Sequence, residues 1–222
     1  MRVLAFTDIH GSIDVVEEIL ARERDCDVVL LGGDITTGGS ADDLERSIRR
    51  IQAYGRPVLA VLGNMDPPAL EKRADALGIS LDGCGVVIGD VGFFGISAAP
   101  LSPLHTPYEI TEEEIARRAA RGWEQVRGAQ WTVFVPHAPP RDTALDRIRS
   151  QEHVGSTAVR TFIEEQGPDL VVCGHIHEAR GTDQIGKTKL INCGQAGKGF
   201  YGVLTIGSHL LLECKSLKSP AP

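Results

Sequence analysis

The sequence predicts an α/β fold in which parallel strands and helices alternate early and strands dominate late. Three features predict it. Short, fully apolar runs such as Val28-Val29-Leu30-Leu31 suit strands buried on both faces. Segments with helical spacing lie between them, which requires crossover connections and hence parallel neighbours. Past residue 180 the apolar runs are separated by short glycine turns, as in hairpins.

Val3 to Phe6 reads as the first strand, followed by a helix with Val15, Val16, Ile19 and Leu20 on one face. Val28 to Leu31 is the second strand. Ser40-x-x-Asp43 is a capping-box pattern ahead of Leu44, Ile48 and Ile51. Val58 to Leu62 is the third strand, and Pro67-Pro68 opens a helix from Leu70 to Leu77. Val86 to Ile88 and Val91 to Ile96 form a hairpin about Gly89-Asp90. A loop from Ser97 to Ile110 follows, then a helix capped by Thr111-x-x-Glu114 that reaches Val126. Trp131 to Val135 is a strand, Val159, Phe162 and Ile163 mark a helix, and Leu170 to Cys173 is the next strand. Leu190 to Asn192, Val203 to Ile206 and Leu210 to Cys214 complete the set, the last two joined by Gly207-Ser208. A single domain over residues 1–214 with a polar tail over 215–222 is expected.

The chain has 222 residues, 42% hydrophobic and 24% charged, with a formal net charge of −7. That charge disfavours nucleic acid as a partner, because a phosphate backbone is gripped by positive surface. A small phosphate ester remains compatible, since cations in one pocket can dominate the local field. The five cysteines show no C-x-x-C pair. Cys173, Cys193 and Cys214 sit in apolar runs as small buried side chains, in keeping with a reducing, cytoplasmic location. The apolar start is too short for a signal peptide and no run has the length of a membrane span. The sequence leaves a homo-oligomer open.

Five polar clusters each follow a strand: Asp8-Ile9-His10, Gly32-Gly33-Asp34, Gly63-Asn64-Met65-Asp66, Pro136-His137 and Gly174-His175-Ile176-His177. Ligand sites of open α/β sheets collect beyond the carboxyl ends of strands, so these distant clusters are expected to meet at one edge of one sheet. Their imidazoles, carboxylates and amide suit divalent cations. In D-x-H and H-x-H, residues two apart on an extended backbone would point the same way.

The clusters resemble the pattern of the calcineurin-like metallophosphoesterase family, D-x-H, G-D-x, G-N-H-[DE], H and G-H-x-H, over the span Asp8 to His177. The resemblance implies a four-layer β-sandwich of two mixed sheets flanked by helices. It also implies two divalent metal ions, with manganese, iron, nickel and zinc all compatible. Asp8, His10, Asp34 and His177 would hold one and Asp34, Asn64, His137 and His175 the other, Asp34 bridging. The implied reaction is hydrolysis of a small phosphate-ester substrate, by in-line attack of a hydroxide held between the metals.

Met65 departs from the family, which often has a histidine there to protonate the leaving group; a thioether has no such proton. Phosphodiesters, or esters with acidic leaving groups, are therefore expected. His105 in the long loop and His153 near a helix start are the candidate substitute acids, which would make a monoesterase or nucleotidase. Asp66 is either a helix cap or a carboxylate behind the metal ligands. Arg141 and Arg180 flank the His137 and His177 loops and read as surface charges or, alternatively, as phosphate contacts. A metal-binding assembly scaffold is the alternative outside catalysis. Gly181 to Thr188 matches the P-loop expression G-x-x-x-x-G-K-[ST], but a strand-like run follows, so Gly186-Lys187 reads as a hairpin turn.

Overall fold

The computed structural model describes residues 1–218. Strand β1 (Arg2–Phe6) pairs in parallel with β2 (Val28–Gly32), and β2 with β3 (Val58–Val61). The crossovers are α1 (Ile13–Arg22) and α2 (Ala41–Gln52); α3 (Glu71–Ala76) follows β3. Then come β4 (Gly85–Ile88), β5 (Val91–Ile96), the short β6 (Ala99–Pro100) and β7 (Glu109–Ile110), and α4 (Glu112–Val126). The remainder is β8 (Trp131–Pro136), α5 (Thr157–Gln166), β9 (Leu170–Cys173), β10 (Gly181–Ile185), β11 (Thr188–Asn192), β12 (Phe200–Ile206) and β13 (Leu210–Ser216).

Two mixed sheets result, ordered β13-β12-β1-β2-β3 and β10-β11-β9-β8-β5-β4. They stack face to face. Val3, Ala5, Val28, Leu30, Leu59 and Val61 of the first meet Phe93, Val133, Val135, Leu170 and Val172 of the second. The alternate residues of the same strands point outward: Leu4, Phe6, Val29 and Leu31 pack under α1 and α2, against Val16, Ile19, Leu44 and Ile48. On the far side Phe94, Phe134 and Val171 pack under α4 and α5, against Ile115, Ala119 and Phe162. Both faces of the inner strands are thus covered, which explains why their sequences are continuous apolar runs. The expected four-layer sandwich is what forms.

Local signals also appear as read. Ser40 and Asp43 close the reciprocal capping box of α2, and Thr111 caps α4 through the Glu114 amide. The P-loop-like segment is the β10–β11 hairpin, with Gly186 at φ 56° in its turn. Three features went unread. β6 and β7 pair in parallel inside the Ser97–Ile110 loop, each too short to show periodicity. The polar β10 (GTDQI) is an edge strand. β13 continues to Ser216, two residues beyond the expected end, because Tyr201 and Phe200 of β12 supply partners for Lys215 and Ser216. Leu217 then donates its amide to Gly199 O. Residues 219–222 of the expected polar tail lie outside the described residues. Cys173 and Cys193 are fully buried and Cys214 partly so, and burial pushes all three thiols up. No helix among the described residues is long and apolar enough to cross a membrane.

Glu71, at the start of α3, has a buried Oε1 with no hydrogen-bond partner among the described residues. Burial, with the Asp82 carboxylate nearby, pushes its carboxyl up to about 7. A folded-state value above the unfolded one means that the penalty is absent below the unfolded value, grows between about 4.5 and 7, and levels off above that. At pH 8 it amounts to at most about 3 kcal/mol. Glu71→Gln mimics the protonated carboxyl, so its melting temperature should exceed that of the wild type at pH 8 and match it near pH 4. Parallel melting curves at the two pH values, if seen, would exclude a buried charge as the cause.

Candidate metal centre

All parallel strands of the first sheet end at one edge, and β8 and β9 of the second sheet end beside them, so the clusters meet where two sheets adjoin and not at the edge of one sheet as expected. The seam is closed by the His175 amide, which donates to Asp8 Oδ1 at 3.0 Å from one sheet to the other, while Gly174 N donates to His137 O and ties together the two loops of the second sheet. Asp8, Asp34, Asn64, His137, His175, His10 and His177 all converge there.

The donor atoms fall into two groups. In one, His177 Nε2 is 3.2 Å from Asp8 Oδ1 and 3.4 Å from His10 Nε2, and His10 Nε2 is 3.7 Å from Asp34 Oδ2. In the other, Asn64 Oδ1 is 3.0 Å from His137 Nε2 and 2.8 Å from His175 Nδ1, and His137 Nε2 is 3.6 Å from Asp34 Oδ2. Ligands bound at about 2.0–2.2 Å sit about 3.0–3.6 Å from one another, so these separations are the edges of a coordination shell. Asp34 Oδ2 belongs to both groups. Asp8 with His10 and His177, and Asp8 with Asp34 and His137, are sets able to hold a metal ion.

The way the side chains converge differs from the expectation. Asp8, His10, Asp34 and His175 are not extended but left-handed, with φ of 55°, 49°, 50° and 66°. Each strand breaks at its end into a turn that folds the side chain back over the sheet edge. His177 instead begins a short 3₁₀ turn. Left-handed backbone at non-glycine residues is strained and persists only where surrounding bonds enforce it. Here Asp8 N donates to Gly33 O and His10 N to Asp34 O, locking the first two loops together. Two glycines allow that closeness. A Cβ on Gly63 would lie 2.0 Å from Asp34 Oδ1, and one on Gly33 (φ 99°) would lie 2.3 Å from His137 Nδ1.

The ring orientations are fixed from behind. His137 Nδ1–H donates to Gly32 O at 2.8 Å, and His10 Nδ1 lies 2.9 Å from Thr37 Oγ1. With Nδ1–H given to Gly32 O, Nε2 of His137 faces the oxygens of Asn64 and Asp34, three atoms that one cation could share. Burial, with the His137 charge nearby, lowers His175 to about 3, so its ring is neutral and free to ligate. Burial pushes the Asp8 carboxyl up, but the His177 hydrogen bond and the His137 charge outweigh it and hold the carboxyl below its usual range. His177 is raised in return by that bond. Asp34 ends above its usual value: burial, with Asp8 and Asp66 close by, overrides His137. The residues thus fit a divalent cation, both in donor chemistry and in the negative charge left at Asp34.

The chain matches the family model for calcineurin-like phosphoesterases over residues 1–179. It belongs to that family. Calcineurin-like phosphoesterases bind divalent metals at a dinuclear site, and the donor groups here include candidate ligands for a metal ion. The chain is 32% identical over 197 residues to the uncharacterized protein MJ1162 of Methanocaldococcus jannaschii, covering 86% of this chain and 87% of that one. Among solved structures it resembles TT1561 of Thermus thermophilus, with a TM-score of 0.75 at 17% identity, covering 98% and 99% of the two chains. It also resembles a dimetal phosphatase from Danio rerio, with a TM-score of 0.70 at 13% identity over 97% and 96%.

Three other predicted residues lie outside the two donor groups. Asp66 caps no helix, and its contacts are those of the other reading, a carboxylate behind the metal ligands. Its buried carboxylate accepts from Ile35 N, Thr36 N, Thr36 Oγ1 and Gly63 N, tying the Asp34 loop to the Asn64 loop. His153 donates Nδ1–H to Asp146 and accepts from Arg147 Nε, so both ring nitrogens are engaged away from the cluster. His105 is exposed on the Ser97–Ile110 loop and makes no described hydrogen bond or ion pair through its ring. Arg180 is no free surface charge: it donates to Cys193 O and Lys215 O and stacks on Phe200. Thr37, which orients His10, went unread; its signal was the hydroxyl pair Thr36-Thr37 so soon after Gly-Gly-Asp. Asp66→Asn would leave two or more of those buried donors unsatisfied and should lower unfolding free energy by about 2–4 kcal/mol in urea titration. A loss under about 0.5 kcal/mol would show the tie to be dispensable.

Proposed function

We propose that this chain hydrolyses phosphodiesters, or phosphate esters with acidic leaving groups, using two divalent cations. Asp8, His10, Asp34 and His177 would hold one cation; Asp34, Asn64, His137 and His175 would hold the other. The observation that carries the reading is Asp34 Oδ2, common to both donor groups and without a hydrogen-bond donor among the described residues, while Oδ1 accepts from Met65 N at 2.7 Å. When bound, the cations would supply Lewis acidity, ionising a water and neutralising charge on the phosphoryl oxygens.

The protein's own part is orientation. Thr37 and Gly32 O aim His10 and His137, and Asp66 fixes the loops of Asp34 and Asn64. Leaving-group protonation has no donor at Met65, and His153 is committed to Asp146 and Arg147. An alkoxide must then depart unassisted, at a loss of about 10²–10⁴ where the leaving group is basic. That favours aryl and other acidic leaving groups over alkyl monoesters.

The test is turnover of an aryl phosphodiester against aryl and alkyl monoesters, with manganese, nickel or zinc added. The diester is expected to be preferred; absence of turnover with every metal would favour the scaffold role. Asp34→Ala should lose both metals by elemental analysis and reduce kcat by at least about 10³. Wild-type metal content in that variant would refute the shared ligand. Met65→His should raise alkyl monoester turnover relative to diester; an unchanged ratio would show that this position does not set the preference.

A further inference from the structure

Leu104 and Leu101 are the two most exposed large apolar side chains among the described residues, at 81% and 65%. Both lie on the segment between β6 and β7, with Pro103 and Pro107. A single exposed leucine needs no explanation. This pair does, because the segment that presents them is held rigid.

The pin is Glu109. Its Oε1 accepts from Ser102 Oγ at 2.7 Å, Thr106 N at 2.9 Å and Thr106 Oγ1 at 2.7 Å, and its Oε2 accepts from Ser102 N at 3.0 Å. Ser102 in turn accepts from the amides of Leu104 and His105. Against the upward push of burial, the bonds from Thr106 and Ser102 hold the Glu109 carboxyl at about 2. The segment therefore stays ionised and tied at any ordinary pH. It could have folded its leucines inward, yet its bonds fix them in solvent.

The segment also abuts the metal centre. Tyr108 N donates to Asn64 O at 3.0 Å, and the Glu109 charge is felt at His175. Met65, half-buried, follows Asn64 in the chain. A cleft of about 370 Å³ that includes His10 is lined by Thr36, Thr37, Ser47 and Arg46, whereas the pinned segment is tied to the Asn64 loop.

We infer that the pinned segment is the substrate-selecting wall of the centre: Leu101 and Leu104, with Met65, receive an apolar alkyl or aryl group of a phosphate ester, and Glu109 is the positioning residue that holds them ready. This rests on the phosphoesterase reading for its turnover and stands apart from it for binding. A rigid apolar surface binds without an ordering penalty, which is the benefit of fixing it beforehand. Fully burying the methylenes that separate hexyl from methyl would give about a thousandfold; on an open wall about tenfold is expected.

The experiment uses alkyl p-nitrophenyl phosphodiesters from methyl to hexyl on the manganese-loaded protein. It also measures calorimetric binding of methyl- and hexylphosphonate. Wild type should prefer hexyl over methyl about tenfold in kcat/KM, through KM. In a Leu101→Ser, Leu104→Ser double variant with an unchanged melting temperature, the preference should fall below about twofold. Glu109→Gln should raise KM for the hexyl ester more than it lowers kcat. Persistence of the hexyl preference in the double variant overturns the inference, as does its absence in wild type. If wild type turns over no ester with any metal, the phosphoesterase reading fails, and the phosphonate affinities still decide the role of the wall. Sedimentation with phosphatidylcholine vesicles that the double variant loses, with a flat chain-length series, would assign the leucines to a lipid surface and also overturn it.

Discussion

Three carboxylates, Asp8, Asp34 and Asp66, are buried together at the seam between the sheets, and the compensation of their charge governs everything built around them. Asp66 is neutralised by four donors from two loops. Asp8 is answered by His177 and the His175 amide. Asp34 receives one backbone donor, and its second oxygen faces only imidazoles. The negative charge that the protein leaves unmatched is therefore concentrated at one atom. Burying such a charge without a partner is strongly unfavourable, and the partner that suits the surrounding lone pairs is a cation.

The two sheets make this concentration achievable. Each inner strand is covered on both faces, so the polar chemistry is displaced to the strand ends. Because β1, β2, β3, β8 and β9 all finish on the same side, loops from both sheets meet without any long excursion. The interlocking backbone bonds Asp8 N–Gly33 O and His10 N–Asp34 O then set positions to within the tolerance a coordination shell requires.

Much of this was legible in the sequence. Strand cores such as Val28 to Leu31, caps such as Ser40 and Thr111, and the polar cluster after each strand are local patterns with local causes. The convergence of His10 with His177 could be foreseen from the polar cluster that follows each strand. Its mechanism could not, since left-handed backbone at Asp8, His10, Asp34 and His175 is imposed by neighbouring loops and contradicts the residues' own preferences. Asp66 was legible as a chemical group and left between two roles, because its four donors come from positions 35, 36 and 63. The β6–β7 pair and polar β10 escaped because pairing partners, and not periodicity, define them. His105 and His153 were inferred from chemistry needed rather than from position, and position decided otherwise for His153.

The four left-handed ligand residues set a limit on how far this molecule could be hardened. Strain of about 1–3 kcal/mol at each is an energy store that glycine would release. At an ordinary surface turn, such a replacement is a routine route to greater robustness. Here every relaxed position would delete a donor from the centre. Heat resistance and function are thus opposed at the same four residues, and any lineage of this chain adapted to higher temperature must gain its robustness from the cores and helix caps, leaving the strand ends strained.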